Sequence, residues 1–344
     1  MDQPSAPVGV LLIQLGTPDS TSTSDVRAYL REFLSDPRVM DIPGPLRALL
    51  LNTVILPFRP RRSAEAYEKI WTEGGSPLTI HTEKLAGRVQ ELLGDGYRVA
   101  YGMRYRNPPI TKAVEDLVAE GCDRLVIIPL FPQYASASTG SALEEALRVV
   151  GGRWNTPEVV TVGWFYDDPG YVAAVAEVAR PYLEDFQPDH TLFSYHGLPE
   201  SQIRKSDPGG EWCLTAEACC DRVRRENRFC YRAQSYETTR RIAAELGLEP
   251  GSYSTAFQSR LAGQKWIEPY TDAVVGDLYA SGVRRLAVLT PSFTADCLET
   301  LEEIGIRLRE QWETLGGEGF VQVPCLNAEP VWAAAVADLV RRVT

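Results

Sequence analysis

Two stretches of the chain echo each other, and they do so in the same order. GVLLIQLGTP at residues 9–18 is matched by HTLFSYHGLP at 190–199, YRVAYGMR at 97–104 by YSTAFQSR at 253–260, and GCDRLVIIPLF at 121–131 by GVRRLAVLTPSF at 282–293. Three matches in one order mark a duplicated unit rather than chance. Apolar runs recur at 8–15, 97–103, 124–130, 158–164, 190–195, 252–257, 284–290 and 320–324. Patterns with an apolar residue every three or four positions lie between them, at 25–33, 79–93, 109–120 and 235–246. Strand alternating with helix predicts an α/β protein whose parallel sheets carry helices on both faces.

The two copies carry unequal insertions. The first is roughly 25 residues longer between its first two matched strands, and the surplus holds the segment around 38–80, an apolar helix flanked by Arg47, Arg59, Arg61 and Arg62. That segment is either a lip over a ligand cleft or a helical hairpin packed on the core. The expected division is a first domain over 1–165 including this insertion, a second over 166–325 including a cysteine-rich insertion at about 205–232, and a helix at 326–344 packing back on the first domain.

Composition narrows the class. A chain of 344 residues with 44% hydrophobic and 24% charged residues is long enough for two packed cores. Its net charge of −11 opposes nucleic-acid binding, which needs a basic footprint. The uncharged apolar stretch at 48–58 is too short to cross a bilayer. Seven cysteines, an odd number, point to a reducing compartment and a cytoplasmic location rather than a disulfide-stapled secreted protein.

Chemistry is confined to few residues. No GxGxxG follows the first strand and no GxxxxGK[ST] occurs, so dinucleotide and P-loop readings lose their support. Of three histidines, only His196 follows a strand and precedes a glycine turn, where open parallel sheets place their ligands. In TPSFTADCLETLEEIG, a helix from Thr294 onward would put Asp296, Glu299 and Glu303 on one face. Such a row is either a solvated face or a path for a cation. Cys213, Cys219, Cys220 and Cys230 lie within 18 residues and lack a CxxC pair. Four thiolates so close suit a two-iron two-sulfur cluster, with free or zinc-bound thiols as the alternative.

The stretches LLIQLGTPDS, REFLSDPRV, SAEAYEKIWTEGGSPL, YGMRYRNP, PLFPQYASASTG, FSYHGLPE, YSTAFQSR, WIEPYTD and SFTADCLETLEEIG run in order from residue 9 to about 305. In them the chain resembles ferrochelatases, which insert ferrous iron into a porphyrin. The resemblance implies two similar Rossmann-like, chelatase-type domains enclosing an active-site cleft, with Fe2+ and a porphyrin as substrates. It implies that His196 is a metal ligand or proton acceptor, that Glu299 is its partner carboxylate, and that Asp296 and Glu303 line a path for metal or protons. Porphyrin contacts are implied for Leu15, Arg104, Tyr105 and Tyr134, with Arg59, Arg62 and Ser76 at the propionate rim.

Two departures from the family pattern stand out. Leu15 occupies a position where the coproporphyrin branch often carries Tyr, which implies protoporphyrin IX as substrate and protohaem as product. The alternatives are a coproporphyrin III enzyme and a non-catalytic tetrapyrrole- or metal-binding protein. Cys297 stands where many relatives have His. Some bacterial relatives bind a 2Fe-2S cluster in an internal cysteine-rich insert, which implies the same for the four clustered cysteines here. Family members occur as monomers and homodimers, and the apolar lip implies peripheral contact with the inner face of the membrane.

Overall fold

A computed structural model describes residues 6–216, 218–260 and 263–344. Two compact units divide the chain. One comprises 1–131, 136–164 and 327–344, and the other comprises 132–135 and 165–326.

Each unit holds one four-stranded, wholly parallel sheet. In the first, β1 (Val8–Gly16), β2 (Tyr97–Tyr105), β3 (Arg124–Pro129) and β4 (Glu158–Thr161) lie in the order β2-β1-β3-β4. In the second, β5 (His190–His196), β6 (Tyr253–Gln258), β7 (Arg285–Leu289) and β8 (Gly319–Gln322) lie in the order β6-β5-β7-β8. The two orders are the same, so the sequence repeat is a repeat of topology. All eight apolar runs are strands, and the interior strands β1, β3, β5 and β7 are buried almost throughout because helices cover both faces of a parallel sheet.

The core of each unit follows from this. Leu11, Ile13, Leu125 and Ile127 of the first sheet pack on Val114, Leu117, Ala142 and Val149 of its covering helices. Leu192, Leu286 and Val288 of the second pack on Ile304, Leu308 and the fully buried Trp312. The last helix, Pro330–Arg341, packs within the first unit on the helix Pro77–Leu93, and Arg88 donates to the Ala328 carbonyl there.

The glycine turns share one physical cause. Gly16, at φ +115°, pairs with Tyr105, and a Cβ there would lie 2.0 Å from the Tyr105 carbonyl oxygen. Gly197 follows His196, whose partner on β6 is Gln258, and a Cβ there would lie 2.7 Å from the Gln258 carbonyl oxygen. Only glycine lets the leaving chain pass so close to the neighbouring strand.

At the opposite end of β5, His190 is buried, with Nε2 2.8 Å from the Ser254 hydroxyl. Burial lowers its pKa, so on acidification the unfolded chain takes up the proton first. Stability is then lost as pH falls below about 6.5. His190→Gln is expected to flatten that loss, read as the urea midpoint at pH 7 against pH 5.5; an equal loss in both proteins would refute it.

Candidate active site

The site on the second unit is built at the carboxyl ends of β5 and β6. His196 ends β5 half-buried, its backbone N–H donating to Ser292 Oγ (3.1 Å). Its Nδ1 lies 2.6 Å from its neighbour Gly197's carbonyl oxygen. A carbonyl has no proton to give, so Nδ1 carries a hydrogen, and in the neutral ring the lone pair lies on Nε2. The neutral ring can thus ligate a cation or accept a proton at Nε2.

The carboxylates are not arranged as the sequence predicted. Residues 294–297 are not helical, and the helical segment Glu299–Leu308 is a π-helix. Asp296 therefore precedes the helix instead of sharing its face with Glu299 and Glu303. Its buried carboxylate accepts from the Thr300 hydroxyl (3.0 Å) and the Cys325 amide (3.3 Å), which pins the loop to the chain after β8. Short side-chain bonds to the backbone compete with helix start here.

Glu303 is tied to the end of β6. It accepts from the Ser259 amide (2.9 Å) and hydroxyl, and Ser259 sits in the left-handed region at φ +66°. A non-glycine residue holds that conformation only when its surroundings fix it. Gln258, 4% exposed, connects these parts: its Oε1 accepts from Ser194 on β5, and its Nε2 donates to the Glu299 carbonyl (2.8 Å). The Glu299 carboxylate accepts from the Cys297 thiol (3.2 Å). Burial first, and the charge of Glu299 second, push that thiol well above its usual range.

Gln258, Ser259 and Ser292 escaped the sequence reading. Neutral polar residues give no periodic or charge signal, and only their position at or just past the ends of β6 and β7 pointed to them.

The porphyrin-contact candidates on the first unit divide by exposure. Leu15 is half-buried at the end of β1, and Arg59 and Arg62 are exposed. Ser76 is buried and donates to Thr17 (3.0 Å), and Tyr105 is 1% exposed, its hydroxyl donating to Asp36 (2.8 Å). Both side chains are buried and hydrogen-bonded within their own unit. Arg104 spends Nε on Ser141 and Nη2 on Asp36 (2.9 Å). Burial alone would raise the Asp36 carboxyl, but bonds from Ser141, the Arg38 amide and Tyr105, with the Arg104 charge, bring it below its usual range. Tyr134 lies on the second unit, its ring edge-on to Phe229 and its amide bonded to Gln234.

The segment 44–68 is helical throughout, with a π turn at Leu51–Ile55 ahead of Pro57 and Pro60. Proline removes the amide a regular helix would use, and the wider turn absorbs the mismatch. Leu51, Leu56, Ala64 and Tyr67 face the core, whereas Leu46, Leu49, Val54 and Phe58 are 52–74% exposed. The segment is thus a packed helix with an apolar outer face.

Cys213, Cys219, Cys220 and Cys230 are all buried and free. Cys219 and Cys220 sulfurs lie 3.7 Å apart, and Cys230 interacts electrostatically with both Cys220 and Cys213. The Cys213–Cys230 interaction lowers the Cys213 thiol and pushes Cys230 up to about 12. The irregular backbone around them is held by Asp207, which accepts from the Trp212 and Cys213 amides (2.7 and 2.8 Å), and by the fully buried Asn227. Arg232 donates to Cys220 Sγ (3.1 Å). As placed, the sulfurs form a chain of contacts, and among the described residues no group of three or more His, Cys, Asp or Glu side chains could hold a metal ion.

Two like parallel sheets, each with its first strand running into a glycine turn, define a chelatase-type fold. The chain resembles a structure of SirB from Bacillus subtilis with Fe3+ at a TM-score of 0.52 and 12% identity, covering 98% of this chain and 95% of that one. At that identity the likeness speaks for the fold alone. The family model Ferrochelatase matches residues 7–344. The chain is 47% identical to the ferrochelatase of Coxiella burnetii (strain Dugway 5J108-111) over 97% of its length and 93% of that protein's. It is 47% identical to that of Legionella pneumophila (strain Lens) over 96% of its length and 98% of that protein's. The chain belongs to the ferrochelatase family. It is an enzyme, a lyase of haem biosynthesis that inserts ferrous iron into a porphyrin.

Proposed function

We propose that the porphyrin is protoporphyrin IX and the product protohaem, with His196 and Glu299 as the reacting groups. Insertion requires a divalent cation to enter as two N–H protons leave the macrocycle, so the site needs a neutral base and a carboxylate. The observation that carries this reading is the 2.6 Å contact from His196 Nδ1 to the Gly197 carbonyl, which leaves Nε2 as an acceptor. Glu303, held by Ser259, and Asp296, held by Thr300, are the further carboxylates of the metal or proton path. Leu15 in place of a Tyr supports protoporphyrin over coproporphyrin III. Leu15→Tyr with both porphyrins tests this: a shift toward coproporphyrin is expected, and an unchanged preference would refute the role of Leu15.

The four clustered cysteines support a 2Fe-2S cluster as resident cofactor. The donor set fits in type and number, since four buried thiols with no disulfide among them match thiolate ligation of such a group. Bound there, the cluster would supply a one-electron centre and a staple across a segment whose described residues lack regular structure. Cys213, Cys219, Cys220 and Cys230 would hold it, and Arg232 would donate to one of its ligands. Anaerobically purified protein is expected to show visible absorbance and acid-labile sulfide, both lost in Cys220→Ser; a colourless, sulfide-free wild type would refute the cofactor.

Among the described residues no helix is long and apolar enough to cross a membrane. The exposed Leu46, Leu49, Val54 and Phe58, with Arg59, Arg61 and Arg62 beside them, support peripheral docking on an anionic bilayer at the inner face of the membrane. Wild type is expected to float with anionic vesicles, and Leu49→Ser/Phe58→Ser to stay behind; equal flotation would refute it.

A further inference from the structure

We propose that Cys297 is a positioning residue for iron insertion, its thiol donating to the Glu299 carboxylate and fixing the direction in which that carboxylate points. The inference rests on Glu299 being a reacting group. Cys297 Sγ lies 3.2 Å from Glu299 Oε2, and a carboxylate in that pair can only accept.

Neither partner is loose. The Cys297 amide donates to the Thr300 hydroxyl (3.1 Å), and Thr300 is fully buried against Asp296. The Glu299 carbonyl takes the amide of buried Gln258 (2.8 Å). The first residue of the π-helix is therefore held at its backbone by β6 and at its side chain by Cys297. One carboxylate oxygen is engaged and the other is left for chemistry. A thiol is a weak donor, so it can orient the carboxylate while withdrawing less of its basicity than a cation would.

The test compares Cys297→Ala, Cys297→Val, Cys297→Ser, Glu299→Gln and the Cys297→Ala/Glu299→Gln double variant in anaerobic insertion assays. Losing one neutral donor is expected to lower kcat about 5- to 10-fold in the Ala and Val variants, with KM for porphyrin and Fe2+ within about twofold of wild type. Val keeps most of the volume without the donor, so a packing defect in Ala alone is distinguished. Ser restores a donor and is expected to stay within about threefold of wild type. The double variant is expected to be no slower than Glu299→Gln, because Cys297 acts through that carboxylate. Wild-type kcat in Ala or Val, equal slowing in Ala and Ser, or a rise in both KM values with a lowered Tm would overturn the proposal. An active Glu299→Gln would instead remove the reading of Glu299 on which it rests.

Discussion

His196→Ala is expected to lower the rate of iron insertion about 1,000-fold while the protein folds and still binds porphyrin. A positioned acid or base contributes about 10²–10⁴ in rate, or roughly 3–5 kcal/mol of barrier. His196 is the only histidine at the carboxyl end of a strand, and its ring is locked with Nδ1 on the Gly197 carbonyl. Alanine removes the imidazole nitrogen Nε2, whether it takes a proton or the metal. Porphyrin binding, read by quenching of intrinsic fluorescence, should persist because His196 is one small part of any apolar wall. A variant inserting iron at the wild-type rate would sink the assignment, and one that lost porphyrin binding would make His196 a structural residue.

The largest expected stability effect lies on the other unit, at Asp36. Its side chain is 4% exposed and accepts from Arg104, Tyr105, Ser141 and the Arg38 amide. Asp36→Ala leaves the Arg104 guanidinium, itself only 19% exposed, without the carboxylate it is paired with, and takes one acceptor from the Tyr105 and Ser141 hydroxyls. Breaking such a pair costs about 3–5 kcal/mol. The first transition in chemical denaturation should move to markedly lower denaturant; an unmoved midpoint would mean the network is not holding the end of β2. Because the Asp36 carboxyl is held below its usual range, its contribution is present above about pH 4 and lost as pH falls further. The wild type should therefore lose more stability than Asp36→Asn between pH 5 and pH 3.

Much of the fold is written locally. Val8–Gly16 and His190–His196 are buried almost throughout because each is an interior strand of a sheet covered on both faces. Gly16 and Gly197 could be read as turns, although the reason each must be glycine is a neighbouring strand's carbonyl, which no local pattern reveals. His196 was legible because strand end, histidine and glycine are contiguous.

The carboxylate row was misread in part. Spacing of three and four suggested one helical face, but Thr300 and the Cys325 amide capture Asp296 before the helix begins, and the segment after it winds as a π-helix. The Cys325 amide lies 29 residues from Asp296 and leaves no local signal. Gln258 and Ser259 were missed for the same reason, since their importance comes from reaching Glu299 and Glu303 more than 40 residues away. In the cysteine segment composition flagged the sulfurs, while Asp207 and Asn227, which shape the loop, look like ordinary polar residues.

The most direct test of this enzyme's activity is metal insertion by the purified full-length protein under anaerobic conditions, offering Fe2+, Co2+ and Zn2+ with protoporphyrin IX and coproporphyrin III. Protohaem formation from Fe2+ and protoporphyrin, faster than from coproporphyrin and lowered about 1,000-fold in His196→Ala, is the expected result. No iron porphyrin with either substrate would contradict the function, and a faster reaction with coproporphyrin would contradict the proposed substrate.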